Sequence, residues 1–173
     1  MINLSTFFNR FTYRMLIALT LLCFSLSSCV PATTASLPWT GELPASPILD
    51  LTKPTVAIVL GKDQTEITDV LAPYVTFKKA LTFNVVLVAE ERLPVALSGG
   101  LKVIPHFSFA QLDAELGQDP GVIIVPNIPD IRGNEASRLW IQQHGHGKSM
   151  VMSICAGAAM LAATGLLDGQ MAT

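Results

Sequence analysis

Among the residues able to do covalent chemistry, Cys155 has the most informative surroundings. It lies in Ser153-Ile154-Cys155-Ala156-Gly157, at the end of the apolar run Ser149 to Ile154 and ahead of a stretch rich in Ala and Gly. A short apolar strand followed at once by a helix sets the cysteine on a sharp bend, where a nucleophile elbow presents its side chain. The N–H groups and positive dipole end of the following helix favour a thiolate there. Ala156 and Gly157 are small enough to let a substrate approach. A packed structural cysteine is the competing reading, because apolar strands often hold one. Its position beyond the carboxyl end of the run, where open α/β sheets place their ligands, favours the reactive thiol.

The histidines do not supply a base for that thiol. His144 and His146 precede the Ser149 to Ile154 strand, and six residues at about 3.3 Å each separate them from Cys155 by roughly 20 Å. His144-Gly145-His146, followed by Gly147, reads as a solvated turn, since no third metal ligand is nearby in sequence. No metal and no organic cofactor is expected. His106 would approach Cys155 only if the hairpin before it folded inward. Trp140, Met150, Met152 and Met160 read as core.

The elements that position the thiol follow from hydrophobic patterning. Thr55 to Leu60 is a continuous apolar, β-branched run ending in Gly61, as expected of a strand buried on both faces. Ile67, Val70, Leu71, Tyr74 and Phe77 recur at helical spacing within Glu66 to Ala80, with Lys78 and Lys79 in the last turn. Asn84 to Ala89 reads as a second strand, and Pro94 to Ile104, turning at Ser98-Gly99-Gly100, as a small hairpin. A short helix over Phe107 to Leu116, a buried strand over Gly121 to Val125, a helix over Glu135 to Gln143 and a buried strand over Ser149 to Ile154 follow. The last helix runs from about Ala156 to Thr164 and closes at Gly165. Strands alternating with helices predict a doubly wound, mostly parallel α/β sheet sandwiched by helices.

Composition and the N-terminal third place this domain. The chain has 173 residues, 50% of them hydrophobic and 14% charged, which excludes a solvated coil. Residues 1–29 contain no acid; Arg10 and Arg14 precede the apolar run Met15 to Leu26, the shape of a signal peptide. That run is shorter than the roughly 20 residues a membrane-spanning helix needs. Leu26-Ser27-Ser28-Cys29 resembles the lipobox of bacterial lipoproteins, which makes Cys29 the expected lipidated first residue of a mature protein on the periplasmic or extracellular side of the envelope. Residues 30–54, rich in Pro, Ser, Thr and Ala, read as a flexible tether, and the domain is expected over 55–173. Without Arg10 and Arg14 the formal charge falls from −2 to −4, so a basic nucleic-acid surface is not available. With Cys23 removed and Cys29 lipidated, Cys155 has no partner cysteine and is expected to be a free thiol.

The Ile154-Cys155-Ala156-Gly157 elbow, the Leu166-Leu167-Asp168-Gly169 step after it, and Asp69 four residues before Pro73 resemble the ThiJ/PfpI family of the class I glutamine amidotransferase-like superfamily. Ser98-Gly-Gly-Leu-Lys-Val-Ile-Pro105 is similar to a stretch in isocyanide hydratases and in the sensor domains of AraC-type regulators. The resemblance spans Thr55 to Thr173 and implies a flavodoxin-like sandwich, commonly dimeric, with Cys155 as nucleophile and an acidic side chain hydrogen-bonded to it. Asp69 stands at that acidic position, with Glu66 one helical turn before it. A first-turn carboxylate favourable to the helix dipole is the alternative role for Asp69. The family's oxyanion-hole turn carries a glycine pair, where this sequence has Asn127-Ile128. The family's histidine would follow the stretch aligned with Gln170 to Thr173, and the sequence stops before it, so a C-terminally incomplete sandwich with an exposed apolar face is expected. Three readings follow: a module that binds or senses a small molecule with weak or no catalysis, a cysteine-dependent hydrolase or hydratase acting on a small electrophile, or a non-functional remnant.

Overall fold

The computed structural model describes residues 40–170. The leader, Cys29 and the first part of the tether lie outside that range. Five parallel strands form the central sheet in the order β5-β2-β1-β6-β7: β1 (Thr55–Val59), β2 (Asn84–Ala89), β5 (Phe107–Ser108), β6 (Val122–Val125) and β7 (Met150–Ser153). A two-stranded antiparallel hairpin, β3 (Val95–Ala96) and β4 (Lys102–Val103), sits apart from it. The helices are α1 (Ile67–Lys79), α2 (Phe109–Leu116), α3 (Glu135–Gly145) and α4 (Gly157–Ala163). This is the flavodoxin-like α/β sandwich expected from the alternation of elements.

The apolar runs explain the layering. Along β1, Val56, Ile58 and Leu60 face one way, packing with Val70, Leu97 and Ile124 and, at the margin, with Tyr74 and Phe77 of α1. Ala57 and Val59 face the other way, onto Phe109, Leu112, Trp140, Ile141 and Met160. The period-two alternation of a strand thus feeds two cores, one under α1 and one under α2, α3 and α4. The strand order reverses beside β1, so the loops after β1 and β6 diverge around a crevice at their carboxyl ends.

Several expectations are corrected. Phe107 and Ser108 pair with β2 as a short edge strand, and the helix expected from Phe107 starts at Phe109, where Ser108 and Gln111 form a capping box. The strand at Met150–Ser153 is an edge strand, with Met150 64% and Met152 39% exposed, so these two methionines are not core, whereas Trp140 and Met160 are buried. The described part of the expected tether is held against the domain: Leu49 is buried in the core with Phe107 and Phe109, the Ser46 hydroxyl donates to the His106 carbonyl, and Asn84 binds the Asp50 and Lys53 carbonyls. Among the described residues no helix is long and apolar enough to cross a membrane.

Candidate functional site

β7 ends at Ser153, and the chain turns through Ile154-Cys155-Ala156 into α4. The Ile154 N–H still donates to the Val125 carbonyl of β6 at 3.0 Å, and the Gly157 N–H closes the turn on the Ile154 carbonyl at 2.9 Å. Within that turn Cys155 takes φ 55°, the left-handed region that a residue with a Cβ enters at a cost. Its thiol is free and exposed. Gly157 shows why the bend is this tight: a Cβ there would lie 2.1 Å from the Val125 carbonyl oxygen and 2.7 Å from that of Pro126. Only glycine lets the start of α4 come down onto the end of β6.

Asp69 is brought to the same junction from the other side. It stands in the first turn of α1, is 7% exposed, and its Oδ2 accepts the Asn127 backbone N–H at 3.1 Å. The Asn127 carbonyl in turn accepts the Glu66 N–H at 3.0 Å, so α1 and the turn after β6 are joined by two hydrogen bonds. This corrects the expected pairing: among the described residues Asp69 makes no hydrogen bond to Cys155, and its partner is the backbone of the turn. The same bond occupies the backbone N–H of Asn127, in the turn where an oxyanion hole was expected. Ile128 is buried and keeps a negative φ, pressing its Cγ2 toward Gly61.

Glu66 caps α1 and faces Ser98 and Thr68, whose hydroxyls hold its carboxyl below the usual range, with the Thr68 N–H adding to them. It is a helix cap and a link to the hairpin. Ala156 is exposed beside the thiol and Gly157 is buried beneath it. Two residues that the sequence did not single out shape the loop between β1 and α1: Thr65 Oγ1 accepts the Gly61 N–H, and Asn134 Oδ1 accepts the Lys62 N–H at 2.7 Å. Asn134 stands just before α3, an N-cap position that could have drawn attention to it.

The histidines lie elsewhere. His144 is 5% exposed inside α3, with Nδ1 2.8 Å from Asp119 Oδ1 and Nε2 3.1 Å from Asp113 Oδ1, the oxygen to which Trp140 Nε1 donates. The Nε2 contact is close enough for an ion pair but out of line for a hydrogen bond. The expected solvated turn is therefore corrected at His144 and holds for the exposed His146. The Lys148 N–H, then the His144 ring, keeps the Asp119 carboxyl below its ordinary value. His144 lines a cavity with Thr55 and Gly121, at the amino ends of β1 and β6, the opposite pole from Cys155. His106 stacks on Tyr74 and accepts the Leu87 N–H on Nδ1 at 2.8 Å, at the β2–β5 side of the sheet. Among the described residues no group of three or more His, Cys, Asp or Glu could hold a metal ion.

With this geometry in view, residues 54–173 match the model of the DJ-1/PfpI family. The chain belongs to the DJ-1/PfpI family. Similar solved structures include a ThiJ/PfpI family protein from Pseudomonas syringae, 19% identical with TM-score 0.59 over 78% of this chain and 55% of that one. A cysteine-to-alanine mutant of a DJ-1 superfamily protein from Salmonella typhimurium is 19% identical with TM-score 0.56, over 67% of this chain and 63% of that one. Oxidized DJ-1 from Toxoplasma gondii is 19% identical with TM-score 0.54, over 67% and 64%. The DJ-1/PfpI chain described here thus spans less than two thirds of the length of these structures. No curated protein matches it.

Proposed function

We propose that this DJ-1/PfpI domain captures small electrophilic molecules on the Cys155 sulfur and serves as a binding or sensing module with weak or no turnover, tethered to a bacterial envelope by lipid on Cys29. The observation that carries the reading is the exposed, unpaired Cys155 held at φ 55° at the carboxyl end of the sheet. A buried structural cysteine would need neither the left-handed bend nor the glycine beneath it.

Turnover needs more than a nucleophile. After a sulfur attacks an electrophilic carbon, a donor must stabilise the developing charge and an acid must protonate the product. Here the Asp69 carboxylate and the Asn127 N–H are bonded to each other. That mutual engagement supports capture over catalysis. The second reading, a hydratase, is favoured by both groups standing at the crevice beside β1. If Asp69 released Asn127, the sulfur could add to an isocyanide carbon, water could displace it, and the thiol and an N-formyl amine would result.

The test is mass spectrometry of the native chain after iodoacetamide, together with assay of a small isocyanide for hydration. One adduct on Cys155, none in Cys155→Ser, and no formamide product supports the sensor. Turnover that is lost in both Cys155→Ser and Asp69→Asn would favour the hydratase. An unreactive thiol would remove both readings. Processing that is blocked by globomycin, with lipid on Cys29, tests the anchor separately.

A further inference from the structure

We infer that the carboxyl edge of the sheet carries a second small-molecule site, apart from the Cys155 crevice, suited to an organic ammonium with a compact apolar body. A cavity of about 380 Å³ opens where β1 and β2 end. Its floor is Leu60 and Ala89, both buried, and its wall is Leu93-Pro94-Val95. That volume falls within the range of ordinary ligand pockets, and apolar walls with a few polar groups at one end are their usual composition.

The rim decides the charge of the occupant. Lys62, Glu90 and Glu91 line the opening, and Lys62 Nζ lies 3.4 Å from Glu90 Oε2. Lys62 thereby neutralises one carboxylate, and among the described residues Glu91 has no ion pair. Arg92, the next cation in the chain, is committed elsewhere, donating to the carbonyls of Pro105 and Pro44. One carboxylate more than the available cations, above an apolar floor, complements a positive head group on an apolar body.

The floor is also held in place before any ligand arrives. Gly61 has no room for a Cβ, which would meet Ile128 Cγ2 at 2.7 Å and Asn134 Oδ1 at 2.9 Å. The Lys62 N–H is fixed by Asn134. A site already in its bound shape loses less entropy on binding. Cys155, Asp69, Asn127 and Glu66 are not among the lining residues, and β7 is two strands from β1, at roughly 4.8 Å per strand. The site therefore stands whether or not Cys155 captures electrophiles.

Benzylammonium, benzyl alcohol and benzoate have similar bodies and different charge, so together they isolate both features. Titrated at pH 7 into the full chain labelled with 15N, benzylammonium is expected to shift the amides of Gly61, Ala89, Glu91 and Val95 with a Kd on the order of 1 mM. Benzoate should bind at least about tenfold more weakly, with the alcohol between them. Glu91→Gln and Leu93→Ala, both exposed positions that the fold tolerates, should each weaken benzylammonium several-fold, while Cys155→Ser leaves it unchanged. Absence of saturable shifts, equal binding of benzoate, or shifts centred on Asn127 and Ala156 would each overturn the site.

Discussion

The carboxylate of Asp69 and the backbone N–H of Asn127 are joined at 3.1 Å, tying the first turn of α1 to the turn after β6. This bond gives a mostly buried carboxylate its partner. Asp69→Ala would leave the half-buried Asn127 N–H without one, and is expected to lower stability by about 2 kcal/mol. Asp69→Asn keeps an acceptor and should lose less than about 1 kcal/mol. Urea unfolding followed by tryptophan fluorescence separates the two. Equal losses would show that the bond contributes nothing beyond volume.

Gly157→Ala is a sharper test of the bend. The new methyl group would be driven into the backbone carbonyls of Val125 and Pro126, which cannot swing aside as a side chain could. A loss of about 3 kcal/mol or more, or failure to fold, is expected. An alanine variant with unchanged unfolding would mean that α4 does not seat on β6 as described.

His106 makes stability depend on pH. Its Nδ1 accepts the Leu87 N–H, so the neutral ring is the bound form, and burial, then the charges of Lys78 and Arg92, lowers its pKa. The unfolded chain therefore holds the proton more tightly than the folded one. The contribution is complete above the unfolded value of about 6.5 and is lost as pH falls through the lower folded value. Wild type should unfold at lower urea at pH 5 than at pH 7.5, and His106→Gln should flatten that difference. The carboxyls of Asp50, Glu66 and Asp119, also lowered, act at more acid pH.

Met150 and Met152 leave an apolar sheet edge open to solvent. An edge without charge or proline is a template for pairing with another chain. Met150→Lys should change stability by no more than about 0.5 kcal/mol and should reduce association at high protein concentration. Light scattering across a dilution series reads this directly, and an unchanged profile would exclude the edge as the contact.

The same edge shows where sequence reading stops. β1, β6 and β7 all appear as continuous apolar runs, and the runs correctly announce parallel strands. Whether a run has a neighbour on each side is set by topology, so Ile123 is fully buried while Met152 is not. His144 is hidden for a related reason: His-Gly-His looks like a turn, yet its place four residues after Trp140 puts it on the inner face of α3. The proline-rich segment before β1 gave no periodicity, and Leu49 and Ser46 are held by contacts that no local pattern announces. The elbow was legible because strand, small residues and helix succeed one another locally. The partner of Asp69 was not, because it depends on a backbone group 58 residues away.

The left-handed backbone at Cys155 has one more consequence. A glycine there would relieve a penalty on the order of 1 kcal/mol, so Cys155→Gly should raise the unfolding midpoint while abolishing alkylation. The domain would then be sturdier without the very atom that gives it chemistry.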